Sequence, residues 1–179
     1  MTFIKFNILF LSVFLLLLTS CKSNDSRGIY EEWKSKNDLF FTNMKDSTGY
    51  TLYNIPLTKG GSSYYYKITF PGIQSSVSPL YTDFVEVQYR GKTITGIVFD
   101  QTYTGAVAPT DSTATIGEFY VNQLVRGWSD NLIHMKTGEL RTIVLPQDLG
   151  YGDTGAGNMI PPFSATIWEV RLVKVIHKN

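Results

Sequence analysis

Two stretches of strict alternation restrict this chain more than any other feature. Over residues 83–90, Val85, Val87 and Tyr89 fall on one face and Glu86, Gln88 and Arg90 on the other. Over residues 165–176, Trp168, Val170 and Leu172 face one way, Glu169 and Arg171 the other. A period of two describes a strand buried on one side only. The clearest helix spans residues 127–138. Trp128, Leu132 and Met135 share a stripe there, Asp130 sits in the first turn, Lys136 in the last, and Gly138 is the stop. Further strands are expected at 64–70, from 97 onward, at 119–125 and at 140–145, with a short one at 51–57. Five or six strands around one short helix make an α+β fold, an antiparallel sheet wrapped on a helix. Residues 29–44 read as a helical arm with an irregular apolar pattern. It could cover its own core (the preferred reading), dimerise or contact a client.

Composition narrows the chemistry. Sixteen Lys and Arg against fifteen Asp and Glu leave a formal charge of +1, so no basic field exists to gather nucleic acid. Tyr64-Tyr65-Tyr66 therefore reads as strand rather than as a base-stacking platform. One cysteine and two histidines, His134 and His177, argue against a Cys-rich metal site or a His-based triad. The glycine-rich run Gly150–Gly157 lacks the Gly-Lys-Ser/Thr ending of a phosphate loop, and Pro161-Pro162 follows it. No cofactor and no metal are expected.

Residues 1–20 read as a leader. Lys5 is the only charge before Cys21, and residues 8–18 form an apolar run, long enough for a signal peptide and short for a membrane-spanning helix. Leu18-Thr19-Ser20-Cys21 resembles a bacterial lipobox, which implies lipidation of Cys21 and attachment to a membrane. Each buried acyl CH₂ would contribute about 0.8 kcal/mol. The expected location is the cell envelope, lipid-anchored, with Lys22 favouring the outer membrane facing the periplasm. The expected organisation is a signal peptide over 1–20, a tether and arm over 21–63, and the main domain over 64–179. Oligomeric state is left open.

Several segments, in order, carry a family resemblance. They are Val87-Gln88-Tyr89-Arg90-Gly91, Gly96-Ile97-Val98-Phe99-Asp100, Gln123-Leu124-Val125-Arg126-Gly127-Trp128, Leu149-Gly150-Tyr151-Gly152, Ile160-Pro161-Pro162 and Trp168-Glu169-Val170-Arg171-Leu172. Together they resemble the FKBP-type peptidyl-prolyl cis-trans isomerases over roughly residues 64–176. In layout the chain is similar to lipid-anchored bacterial members, including those associated with gliding motility.

The resemblance implies a sheet half-wrapped around the helix and an apolar pocket between them. It implies catalytic roles for Tyr89, Phe99, Asp100, Tyr151 and Trp168, and substrate binding by Phe119, Leu124, Val125, Trp128, Met159 and Ile160. The Val125 N–H and the Tyr151 hydroxyl would hold peptide carbonyls, and Asp100 would orient Tyr89. Proline-containing polypeptides are the implied substrates, and a macrolide immunosuppressant is an implied ligand. The sequence departs from the family at Gly117, where a second aromatic often stands, and at Trp168, which replaces a usual Phe. The alternative within the same fold is a non-catalytic chaperone or assembly lipoprotein.

Overall fold

The alternating stretch around Tyr89 lies inside the sheet, paired on both edges, and the rest of the fold is arranged about it. The structure, a computed structural model, describes residues 26–105 and 114–177. The expected leader and Cys21 lie outside the described residues. Seven strands form one sheet: β1 (Thr51–Asn54), β2 (Ser63–Pro71), β3 (Phe84–Thr93), β4 (Val98–Gln101), β5 (Gly117–Tyr120), β6 (Glu139–Leu145) and β7 (Thr166–Ile176). Their order is β1-β2-β6-β7-β3-β4, with β5 also on β3. All these pairings are antiparallel. β5 takes residues 84–87 of β3 and β4 takes residues 90–92, so one edge of β3 carries two short strands.

The expected alternation sets the two faces. Val85, Val87, Tyr89, Trp168, Val170 and Leu172 are buried in the main core. On β2, Tyr64 joins that core while its neighbour Tyr65 packs with Met44 and Val144 in a second cluster. Adjacent strand residues point to opposite faces, so the sheet is covered on both sides. The inner side carries α2 (Arg126–Leu132) and the outer side α1 (Ser26–Asn43). At Gly127 a Cβ would lie 2.5 Å from Leu145 Cδ2, so any larger residue there must push the buried Leu145 side chain aside for α2 to stay this close to β6.

The arm is fastened to the body by polar groups. Trp33 Nε1 donates to Ser164 Oγ at 2.9 Å, and the Ala165 N–H donates to Asn37 Oδ1 at 2.8 Å. The Phe41 and Tyr65 rings meet edge to face at 5.2 Å. β1 is hydrogen-bonded to β2, so the sheet begins on the N-terminal side of residue 64. Among the described residues no helix is long and apolar enough to cross a membrane.

Three expectations are corrected. The helix expected over 127–138 ends at Leu132. Beyond it, His134 and Met135 close tighter turns onto the carbonyls of Asn131 and Leu132. Arg141 on β6 donates to the His134 carbonyl and to Asn131 Oδ1, which pulls the chain off the helical path. The strand expected over 119–125 stops at Tyr120, because a 3₁₀ turn at Val121–Gln123 leads directly into α2. There Ser129 Oγ donates to the Val121 carbonyl at 2.6 Å. The expected five or six strands are seven.

Candidate active site

The inner face of β3 and β7 and the start of α2 enclose a cavity of about 210 Å³. Tyr89, Trp128 and Trp168 are its deep walls, exposed by only 8%, 3% and 3%. Phe119, Gln123, Leu124, Val125, Asp100 and Tyr151 complete the lining. The rings stand edge to face: Trp128 and Trp168 at 5.0 Å and 83°, Tyr89 and Trp128 at 5.4 Å and 88°. That arrangement sets the positive edge of one ring against the negative face of the next, and is worth about 0.5–1.5 kcal/mol per pair beyond area burial. Gly91 on β3 makes room for it. A Cβ there would overlap the Trp168 ring and lie 2.6 Å from Phe99 Cε2.

Polar groups are few and specifically placed. The Tyr89 hydroxyl donates to Asp100 Oδ2 at 2.9 Å. Trp168 Nε1 donates to Thr166 Oγ1 at 3.0 Å. The Trp128 indole N–H is buried with no acceptor among the described residues. Burial, with the Tyr89–Asp100 hydrogen bond second, pushes the Tyr89 phenol well above its ordinary range. Burial first and the Asp100 charge second also raise the Tyr151 phenol above its ordinary value. Both hydroxyls are therefore protonated donors near neutral pH. Among the described residues, the Tyr151 hydroxyl and the Val125 N–H donate to no other group.

Eight of the expected site residues meet at this cavity: Tyr89, Asp100, Phe119, Leu124, Val125, Trp128, Tyr151 and Trp168. Phe99 stands behind the wall, its ring 5.0 Å from Trp168 and 6.3 Å from Tyr151. Met159 and Ile160 are placed elsewhere. Ala156 and Ile160 form an isolated bridge, which leaves Met159 on the intervening turn, 50% exposed. Ile160 borders a separate groove facing Ile29, Tyr30 and Trp33 of α1. Gln123 lines the cavity without having been singled out; its place next to Leu124-Val125 was the available signal.

Comparison with known proteins agrees with this geometry. Residues 76–173 match the FKBP-type peptidyl-prolyl cis-trans isomerase family. The FKBP-type 22 kDa peptidyl-prolyl cis-trans isomerase of Escherichia coli is 41% identical over 98 residues, covering 55% of this chain and 44% of that protein. A probable FKBP-type peptidyl-prolyl cis-trans isomerase of Haemophilus influenzae is 35% identical over 165 residues, covering 90% of this chain and 60% of its own length. The chain thus spans about half the length of such relatives. A crystal structure of a peptidyl-prolyl cis-trans isomerase from Pseudomonas syringae superposes with a TM-score of 0.64 at 28% identity, over 82% of this chain and 96% of that one. With all nine lining residues of the aromatic cavity, from Tyr89 to Trp168, inside the matched span, the chain belongs to the FKBP-type peptidyl-prolyl cis-trans isomerase family.

Proposed function

We propose that the protein accelerates rotation about Xaa-Pro bonds in exported or envelope polypeptides. The observation that carries this reading is the aromatic cavity, closed at its base by Tyr89, Trp128 and Trp168 and bordered by the Tyr151 hydroxyl and the Val125 N–H, two donors with no acceptor among the described residues. Rotation of a peptide bond crosses about 18–20 kcal/mol because it breaks C–N resonance. The planar imide is charge-separated and well solvated. The twisted state has a more carbonyl-like C=O and a pyramidal, less charged nitrogen. A dry aromatic wall therefore disfavours the planar form relative to the twisted one. Each factor of ten in rate needs about 1.4 kcal/mol of that preference.

In this reading Tyr89, Trp128 and Trp168 box the proline ring, with Phe99 bracing Trp168 and Tyr151 from behind. The Tyr151 hydroxyl and the Val125 N–H hold peptide carbonyls in register. Asp100 fixes Tyr89 through its phenol and transfers no proton. Leu124 and Phe119 border the entrance. The same cavity suits an apolar macrolide with spaced carbonyls. A protease-coupled assay on Xaa-Pro peptides tests the proposal. Turnover should scale with protein and fall in Trp128→Leu and Tyr151→Phe; a rate indistinguishable from the uncatalysed one would overturn it.

Two further parts belong to this reading. Residues 1–20 act as a leader and Cys21 carries a lipid, with 21–63 as tether and arm and 64–179 as the isomerase domain. Among the relatives, one 32% identical over 145 residues is named an outer membrane protein, from Legionella longbeachae, which supports an envelope location. Mass spectrometry of the native protein checks the lipid, and an unmodified Cys21 would refute it. A second reading, a non-catalytic chaperone or assembly lipoprotein, is favoured by the groove between α1 and the 154–162 loop, where Ile29 is 61% exposed. An Ile29→Asp variant that loses client binding while keeping peptide turnover would assign the two activities to separate places.

A further inference from the structure

Gly117 and Phe119 lie on β5, opposite Val87 and Val85 of β3. Residues two apart on a strand share a face, so both positions look toward the side from which Tyr89 projects. The Phe119 ring does not stay over its own cross-strand partner. It approaches the Tyr89 ring at 5.9 Å, and the two rings meet above Gly117. A Cβ at 117 would lie 2.8 Å from Phe119 Cε2 and 2.8 Å from Tyr89 Cε1. Real Cβ atoms essentially never show such approaches, so any side chain at 117 must displace one of the two rings. The anchoring of the rings decides which. Tyr89 is held by its hydroxyl on Asp100 at 2.9 Å and by the Trp128 ring at 5.4 Å. Phe119 is only partly buried and makes no polar bond. Phe119 therefore yields.

We propose that Gly117 is a positioning residue for substrate selectivity: its missing side chain lets Phe119 form the entrance wall of the cavity and contact the residue that precedes proline. The proposal rests on the isomerase reading and deepens it. Depth supports the assignment to the flanking residue. The rings at 3–8% exposure form the base, where the proline ring would sit, whereas Phe119 is at the rim. A rim wall meets the neighbouring side chain. Apolar discrimination at such a wall is limited to the ten- to two-hundredfold range typical of hydrophobic pockets.

The test compares peptides that differ only before proline, with Ala, Leu or Phe in that place, across the wild type, Gly117→Ala, Phe119→Ala and the double variant. The ratio of kcat/KM for Leu-Pro to that for Ala-Pro should fall by about threefold or more in each single variant. The loss should appear mainly in KM. The double variant should lose no more than Phe119→Ala alone, because both changes act through one ring. Unchanged selectivity in Gly117→Ala, or additive losses in the double variant, would overturn the proposal. Phe119→Ala needs no room at 117, so it keeps the test open if Gly117→Ala folds poorly; unchanged selectivity there would equally refute the idea. If the wild type turns over no peptide, the isomerase reading fails instead. Peptide affinities read from Trp128 and Trp168 fluorescence would then decide the wall's role by the same ratios.

Discussion

The two ends of α2 are built on opposite principles. Its start presents Trp128 to a cavity where rings touch edge to face and its indole N–H finds no partner among the described residues. Its far end enters a polar web. Arg141, buried on β6, binds the Glu139 carboxylate, Asn131 Oδ1 and the His134 carbonyl, and lies over the Tyr66 ring. Tyr53 pairs with His134 Nε2 at 2.8 Å nearby. A seven-residue helix has little stability of its own. The web fixes its end to the sheet, so the start can border open space without the helix shifting. In this protein the room for a ligand depends on tight fastening one turn away.

The contrast is broken most severely at Arg141. Arg141→Ala strands the Glu139 carboxylate, which is 2% exposed, and should cost about 3–5 kcal/mol in urea unfolding. Peptide turnover at temperatures where the variant stays folded should also drop if the web positions Trp128. Next comes Gly91→Ala, which pushes a methyl group into the Trp168 and Phe99 rings. Overpacking of this kind costs about 1–3 kcal/mol, and turnover should fall with it. A variant as active and stable as the wild type would show that the rings are not held where the cavity needs them. Tyr89→Phe removes only the hydroxyl donated to Asp100 and should cost about 1 kcal/mol, with a modest loss of turnover.

The smallest effect concerns pH. Burial holds the His134 imidazole below its ordinary value of 6.5, against the pull of Asp130, while Arg141 and Lys59 add to the lowering. The unfolded chain therefore takes up a proton that the folded protein resists. Stability from this group is fully present above about pH 6.5 and is lost as pH falls through the depressed folded value. His134→Gln should flatten that acid limb in unfolding measurements on either side of the transition. An identical slope in variant and wild type would remove His134 from the web.

Legibility in the sequence followed the strength of local pattern. β3 and β7 were readable because alternation and burial agree at Val85, Val87, Tyr89, Trp168, Val170 and Leu172. The end of α2 was not, because Met135 is fully buried and keeps the helical stripe after the backbone has left it. A guanidinium reaching from β6 decides that boundary, and no local signal announces it. Most of the site was legible through ordered family segments. Met159 and Ile160 were not, since the Ala156–Ile160 bridge sets which way each residue faces. Gly117 stands out in the sequence as a departure from the family, but the arrangement that brings the Phe119 ring over it exists only in three dimensions.

The strand order also bears on the protein's own folding. β3 pairs with β7, roughly eighty residues later, and β2 with β6. Such non-local pairings close slowly, since the intervening loop must be ordered before it is rewarded. Trp168 is the last of the cavity's lining residues in chain order, and β6 and β7 must both dock before the base exists. Without β7 neither β3 nor β6 has its partner on that side and the cavity has no base, so the site is completed in one docking event rather than wall by wall.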